Sequence, residues 1–162
     1  MSYFFNFDKL GYLSEKKPDG CILCLIRDNS DQTVNLKVFE DDLVAVSVNL
    51  YPYNPGHLII FPTRHIKDIR EFTKAECAAI CDTEKKALTI LDALYKPHGY
   101  NIGYNMGNAA GASIEHLHLH IIPRYPGEAG IADLIAGQKV LVENPLVTWK
   151  NLKDEFSRRF PS

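Results

Sequence analysis

Thr73-Lys74-Ala75-Glu76 is a capping box, and it opens the longest helical pattern in the chain. Threonine at the N-cap accepts from a first-turn amide, and the glutamate reaches back to the N-cap amide. Behind it Cys77, Ile80, Cys81, Ala87, Leu88, Leu91 and Leu94 recur with a period near about 3.6, which predicts a single apolar stripe. Pro97 and Gly99 stop the helix. Short β-rich runs lie on both sides of it. They are residues 36–39 and 43–48 around Glu40-Asp41-Asp42, 57–61 closed by Pro62, 100–104, and 114–122 closed by Pro123. One long helix among hairpin-like strands, without regular alternation, predicts an α+β fold with a mainly antiparallel sheet. A C-terminal amphipathic helix is expected over 149–160. Residues 21–27 fit a turn of helix or an extended piece equally, and 131–142 carry no decided pattern.

The length of 162 residues is that of one domain. Residues 1–20 read as an N-terminal arm ending in the turn Pro18-Asp19-Gly20, 21–143 as the domain, and 144–162 as a helix packing on it. With 18 basic and 20 acidic side chains the net charge is −2, so no nucleic-acid partner is expected. No apolar run approaches the roughly 20 residues that span a bilayer, and the start has no basic n-region, so the default expectation is cytoplasmic. In a reducing compartment the four cysteines are not expected to pair. Cys77 and Cys81 share a helix face and read as buried small hydrophobes.

The chemistry is expected on His116-Leu117-His118-Leu119-His120. Alternation on a strand places His116, His118 and His120 on one face within about 13 Å, and Leu117, Leu119 and Ile121 on the other. Imidazole changes charge near neutral pH, so neighbouring rings can divide labour as nucleophile, acid and metal ligand. The loop at 105–113, with Gly107 and Gly111, is either an ordinary turn or a cradle of backbone N–H groups for an anion.

His116-Leu117-His118-Leu119-His120-Ile121-Ile122, followed by Pro123-Arg124, resembles the signature of the histidine-triad (HIT) family. Asn49 and Pro55-Gly56-His57-Leu58 resemble that family's upstream segment. The run from Asn49 to His57, with Pro97-His98-Gly99-Tyr100-Asn101, is most similar to its bacterial dinucleoside polyphosphate phosphorylase branch. The resemblance covers about residues 20–143 and implies a HIT-like fold with a nucleotide site, in a homodimer. It implies that His118 attacks an α-phosphorus and forms a nucleotidyl-phosphohistidine, which phosphate or water then resolves. The tautomer of His118 would be fixed by the His116 carbonyl, and His57 and His120 would donate to phosphate oxygens. Asn105, Gly111 and Ser113 fall at positions near the phosphates, and Asn49 near the ribose. Many relatives have Gly-Gln-Ser before the triad; here Gly111-Ala112-Ser113 lacks the glutamine.

Cys21-Ile22-Leu23-Cys24 has the knuckle spacing of half a zinc site, or is a pair packed in a helix turn. The resemblance implies completion by His65 and His116, giving a structural zinc. His98 reads as a helix-end residue and Trp149 as cover for apolar surface. Two other classes compete. A cupin-type metalloenzyme would need a ligand histidine downstream of His120, and none follows. A non-enzymatic nucleotide sensor would have lost the nucleophile, and His118 is present.

Overall fold

The computed structural model describes residues 18–126 and 143–161, so residues 1–17 of the arm expected over 1–20, and the undecided stretch at 131–142, lie outside the described residues. The turn expected at 18–20 is a bend in which Gly20 takes φ +104°. Residues at 21–27 form a helix, α1 (Ile22–Arg27), with Cys21 at its N-cap.

Strands β1 (Lys37–Glu40) and β2 (Val44–Val48) make the expected hairpin. Asp41 closes it, because its Oδ1 accepts from the amides of Leu43 and Val44, both at 2.9 Å. β3 (Leu58–Pro62), β4 (Gly99–Tyr104) and β5 (Leu119–Arg124) complete a sheet of order β1-β2-β3-β5-β4, with every pair antiparallel.

Both prolines expected to close strands lie within them. Pro62 is the last residue of β3. Pro123 pairs with Tyr100, beyond the stretch where β5 meets β3, so its missing N–H costs no ladder bond there. The strand expected at 114–122 begins only at Leu119, and His116 and His118 lie in its lead-in. The cause is visible at Leu117. Its amide donates to the carbonyl of Ile66, at 2.7 Å, in the connection after β3, rather than to a neighbouring strand.

The long helix α2 (Lys74–Tyr95) starts at Thr73 with both halves of the capping box made, and ends at Lys96 in the left-handed region. Its buried face keeps Ile80, Ala87 and Leu91 of the expected stripe, with Leu88 packed against it, but is rotated at both ends. Glu76, Ile80, Thr83, Ala87, Ile90 and Leu91 are buried, whereas Cys77 and Cys81 are exposed and Leu94 is 41% exposed. Two polar residues set the error. Glu76 is drawn inward by Arg64, whose Nε and Nη2 donate to its two oxygens at 3.0 and 2.9 Å, and Thr83 is buried one turn beyond Ile80.

The C-terminal helix α3 (Pro145–Arg159) has Asn144 as N-cap and packs on β1. Trp149 Nε1 donates to the Lys37 carbonyl at 3.0 Å. The sheet therefore has two unlike faces. Val44, Val46, Leu58, Ile60, Leu119 and Ile121 meet α2 and α3 in the main core. Ala45, Ile59 and Phe61 meet Leu23 and Ile26 of α1 on the other side. Among the described residues no helix is long and apolar enough to cross a membrane.

Candidate active site and metal centre

Ile59 and His120 are cross-strand partners and so share the α1 face of the sheet. That face carries the histidines. His118 is 5% exposed, and its Nδ1 lies 2.8 Å from the His116 carbonyl. A carbonyl only accepts, so Nδ1 carries the proton and Nε2 keeps its lone pair. Burial lowers the pKa of His118, against the pull of that same carbonyl, and burial pushes His120 down to about 4. Burial thus disfavours the charged form of both rings.

A second chain of bonds fixes His120. The Tyr53 amide donates to His57 Nδ1 at 3.1 Å, so His57 Nε2 must carry the proton. That nitrogen is 3.0 Å from His120 Nδ1 and donates to it, which leaves the His120 proton on Nε2. His57 itself is fully buried. It stands behind His120, with its Nε2–H turned to His120 Nδ1. The rings follow one another at centroid spacings of 5.2 Å from His57 to His120 and 4.7 Å from His120 to His118.

Asn49 follows β2. Its Oδ1 accepts from the Tyr51 amide at 3.0 Å, and its Nδ2 lies 3.4 Å from His57 Nε2. Tyr104 pairs with Leu119, so Asn105 leaves β4 opposite His118. Asn105 is half-buried, and Gly111, at φ +85°, and Ser113 are exposed. The intervening loop offers fewer free amides than expected. Those of Ala110, Gly111 and Ala112 donate to the carbonyls of Gly107, Asn108 and Gly107 within the loop.

His116 turns away from this pair. Its Nδ1 lies 3.5 Å from Cys21 Sγ and 3.6 Å from Cys24 Sγ, and His65 Nδ1 lies 3.4 Å from Cys24 Sγ. One ligand atom from each of the four residues lies within 4.8 Å of the others. Tetrahedral zinc, at about 2.3 Å to sulfur and about 2.0–2.1 Å to nitrogen, needs ligand separations of about 3.3–3.8 Å. The sulfur–nitrogen separations of 3.4–3.6 Å fall in that range, and with the rest within 4.8 Å the donor set suits such an ion. The tautomer fits as well, because His116 Nε2 donates to the Pro62 carbonyl at 2.9 Å and leaves Nδ1 facing the sulfurs. Burial pushes His116 down to about 4, and burial with Cys21 alongside raises Cys24 to about 11.

Residues 62–71 hold this arrangement, of which only the His65 ligand was expected. The segment provides the Pro62 carbonyl for His116, the Ile66 carbonyl for Leu117, the His65 ligand, and Lys67, which pairs with Glu115. Arg64 ties it to α2 through Glu76 and donates to the Glu71 carbonyl at 2.7 Å. Away from the histidines, a groove of about 590 Å³ opens between β1 and α3, bordered by Lys37, Phe39, Trp149 and Lys153.

The sheet order and the paired imidazoles define a histidine-triad domain, and a model of the HIT domain matches residues 30–127; the chain belongs to the HIT family. Among curated proteins it is similar to the AP-4-A phosphorylase of Mycobacterium tuberculosis strain H37Rv, 38% identical over 125 residues, which are 76% of this chain and 64% of that one. It is also similar to the asymmetrical bis(5'-nucleosyl)-tetraphosphatase of Schizosaccharomyces pombe, 30% identical over 97 residues, 60% of this chain and 53% of the yeast protein. The chain thus spans less than two thirds of the length of either enzyme. Among solved structures, a zinc-bound histidine triad family protein from Mycobacterium smegmatis shares the fold, with a TM-score of 0.69 at 19% identity, covering 86% of this chain and 94% of that one.

Proposed function

We propose that this chain is an enzyme that transfers a nucleotidyl group from a dinucleoside polyphosphate by way of His118, with inorganic phosphate as acceptor. The observation that carries this reading is the 2.8 Å bond from His118 Nδ1 to the His116 carbonyl. It presents an unprotonated Nε2, so the nucleophile needs no prior deprotonation. Nε2 attacks the α-phosphorus. A P–N bond forms as the bond to the bridging oxygen breaks, and that electron pair departs with the polyphosphate. Charge developing on the ring is shared through Nδ1–H with the His116 carbonyl. The His120 Nε2–H donates to a phosphate oxygen as charge builds, with His57 holding His120 in that tautomer. Inorganic phosphate then attacks the same phosphorus, the P–N bond breaks, and a nucleoside diphosphate leaves. Asn49 serves the ribose, and Asn105 and Ser113 the phosphates, while Gly111, whose amide is held by the Asn108 carbonyl, shapes the loop between them.

Similarity to the mycobacterial phosphorylase supports phosphate as acceptor. Water is the second reading, favoured by the loop amides of Ala110, Gly111 and Ala112, which are committed internally and cannot line a phosphate subsite. Diadenosine tetraphosphate incubated with and without millimolar phosphate decides between them. Accumulation of ADP with ATP, at a rate that rises with phosphate, supports the phosphorylase. AMP with ATP at a rate indifferent to phosphate supports the hydrolase.

We read the Cys21, Cys24, His65 and His116 cluster as a structural zinc site, since four protein ligands leave no open position. Bound zinc would supply a fixed charge that keeps both thiols deprotonated. We further read the chain as a homodimer joined through β4. That strand is a sheet edge whose Asn101, Ile102 and Gly103 are exposed, whereas the opposite edge, β1, is partly covered by Trp149.

A further inference from the structure

We infer that Gly103 on β4 holds open a lane for the polyphosphate chain of the leaving group, running from His120 across Gly103 to the side-chain amide of Asn101. This rests on the function proposed above and names the part of the substrate that the open side of the site receives.

His120 has Ile59 as its cross-strand partner on β3 and Gly103 on β4. Directly opposed residues of an antiparallel pair project from the same face, so both flank the His120 ring. The two flanks are unlike. Ile59 is 5% exposed and packs with Leu23 and Ile26 of α1. Gly103 is exposed, and a methyl group placed on its Cα would meet no atom of the described residues within 4 Å. The histidine face of the sheet is thus covered over β3 and open over β4. Backbone conformation does not call for glycine here, because the positive-φ glycines of the described residues are Gly20, Gly56, Gly107 and Gly111. A glycine inside a strand forgoes a side chain that would pack, and such a position often marks the close approach of a ligand.

Asn101 is the next residue of β4 on that face, about 6.6–6.8 Å further along the strand. It is exposed, and Arg124 Nη1 donates to its Oδ1 at 2.9 Å. A guanidinium only donates, so the amide oxygen faces Arg124 and the Nδ2 hydrogens face away from it. The amide is therefore held in the orientation that offers donors. Attack by His118 expels the leaving chain in line, on the far side of the phosphorus, where His120 Nε2–H meets its oxygens. The described residues leave the chain room across Gly103, and its further phosphates then reach the Asn101 amide. A dimer joined through β4 would use the backbone edge of that strand and leave this face uncovered.

Gly103→Val tests the lane without weakening the strand, since valine suits a β position. Titration calorimetry compares a methylene-bridged, non-hydrolysable diadenosine tetraphosphate analogue with AMP, which has no leaving chain. Gly103→Val should weaken the analogue by about tenfold and leave AMP within about twofold of wild type, with the Tm no lower than that of wild type. Asn101→Ala, a change at an exposed position, should weaken the analogue by about fivefold with AMP again unchanged. In turnover, Asn101→Ala should raise KM for diadenosine tetraphosphate but not for adenosine 5′-phosphosulfate, whose leaving group is too short to reach it. A folded Gly103→Val that binds the analogue within about twofold of wild type overturns the inference, as does an equal loss of AMP. If Gly103→Val does not fold, Asn101→Ala decides by the same measure. Failure of the proposed function reads differently, as these differences in binding without turnover of either donor.

Discussion

His118 and His116 are two residues apart and divide their atoms between two tasks. The side chain of His118 offers Nε2, while the backbone of His116 orients it. Replacing His118 with alanine should cost about a thousandfold or more in kcat, as removal of a covalent nucleophile does elsewhere. Affinity for AMP and the far-ultraviolet circular dichroism should stay near wild type. Stopped assays on the purified variant check the first expectation, and calorimetry the second. Turnover close to wild type would remove His118 from the mechanism. The triad was legible because alternation and chemistry coincide in five consecutive residues. The tautomer of His118 was implied by the resemblance, but those of His116 and His57 were not, since they depend on the Pro62 carbonyl and the Tyr53 amide, whose positions no side-chain pattern encodes.

At the scale of elements, an ion pair between Arg64 and Glu76 joins the connection after β3 to α2. The Arg64 guanidinium beside Glu76 holds its carboxyl at about 2, below the ordinary 4.5. A carboxylate whose pKa is depressed on folding stabilises the fold above its ordinary pKa, and that stability is lost as pH falls through the folded value. Glu76→Gln should therefore destabilise the protein at pH 7, by about 1–2 kcal/mol, since the Arg64 side chain is half in water. The gap from wild type should close as pH falls from about 4.5 toward 2. Urea unfolding across that range measures it, and a gap independent of pH would assign Glu76 a purely steric role. The same residue explains where the sequence misled. An apolar-stripe reading counts cysteine as inside and glutamate as outside, but Glu76 enters the core with its partner and capping role satisfied. That rotates Cys77 and Cys81 to the surface. The capping box, the helix length and the hairpin at Asp41 were legible because their signals are local. The late start of β5 was not, because it is decided by a bond from Leu117 to a residue far away in sequence.

Across the whole molecule, the sulfur and imidazole cluster ties α1 to the segment that carries His118. Protein purified without chelator or metal-affinity tag should hold about one zinc per chain by elemental analysis. Cys24→Ser should lower the metal content and the Tm together, with a smaller effect on kcat, because a closed site meets no substrate. Fully folded, fully active, metal-free wild type would refute the site. The free edge at β4 carries its own expectation. Wild type should sediment at twice the 18.3 kDa subunit mass, and Ile102→Lys should shift the equilibrium toward monomer. Unchanged sedimentation would place the dimer contact elsewhere. The dual use of His116 also decides how an alanine scan of the three histidines must be interpreted. Substitution there would delete one ligand of the proposed zinc site while leaving in place the carbonyl that orients His118. Its phenotype would report on metal loading, whereas the phenotype at 118 would report on bond-making. Two alleles with the same loss of activity would then differ in whether added zinc, low temperature or a stabilising ligand rescues them, and ranking the triad by residual rate alone would confuse a loosened scaffold with a missing reagent.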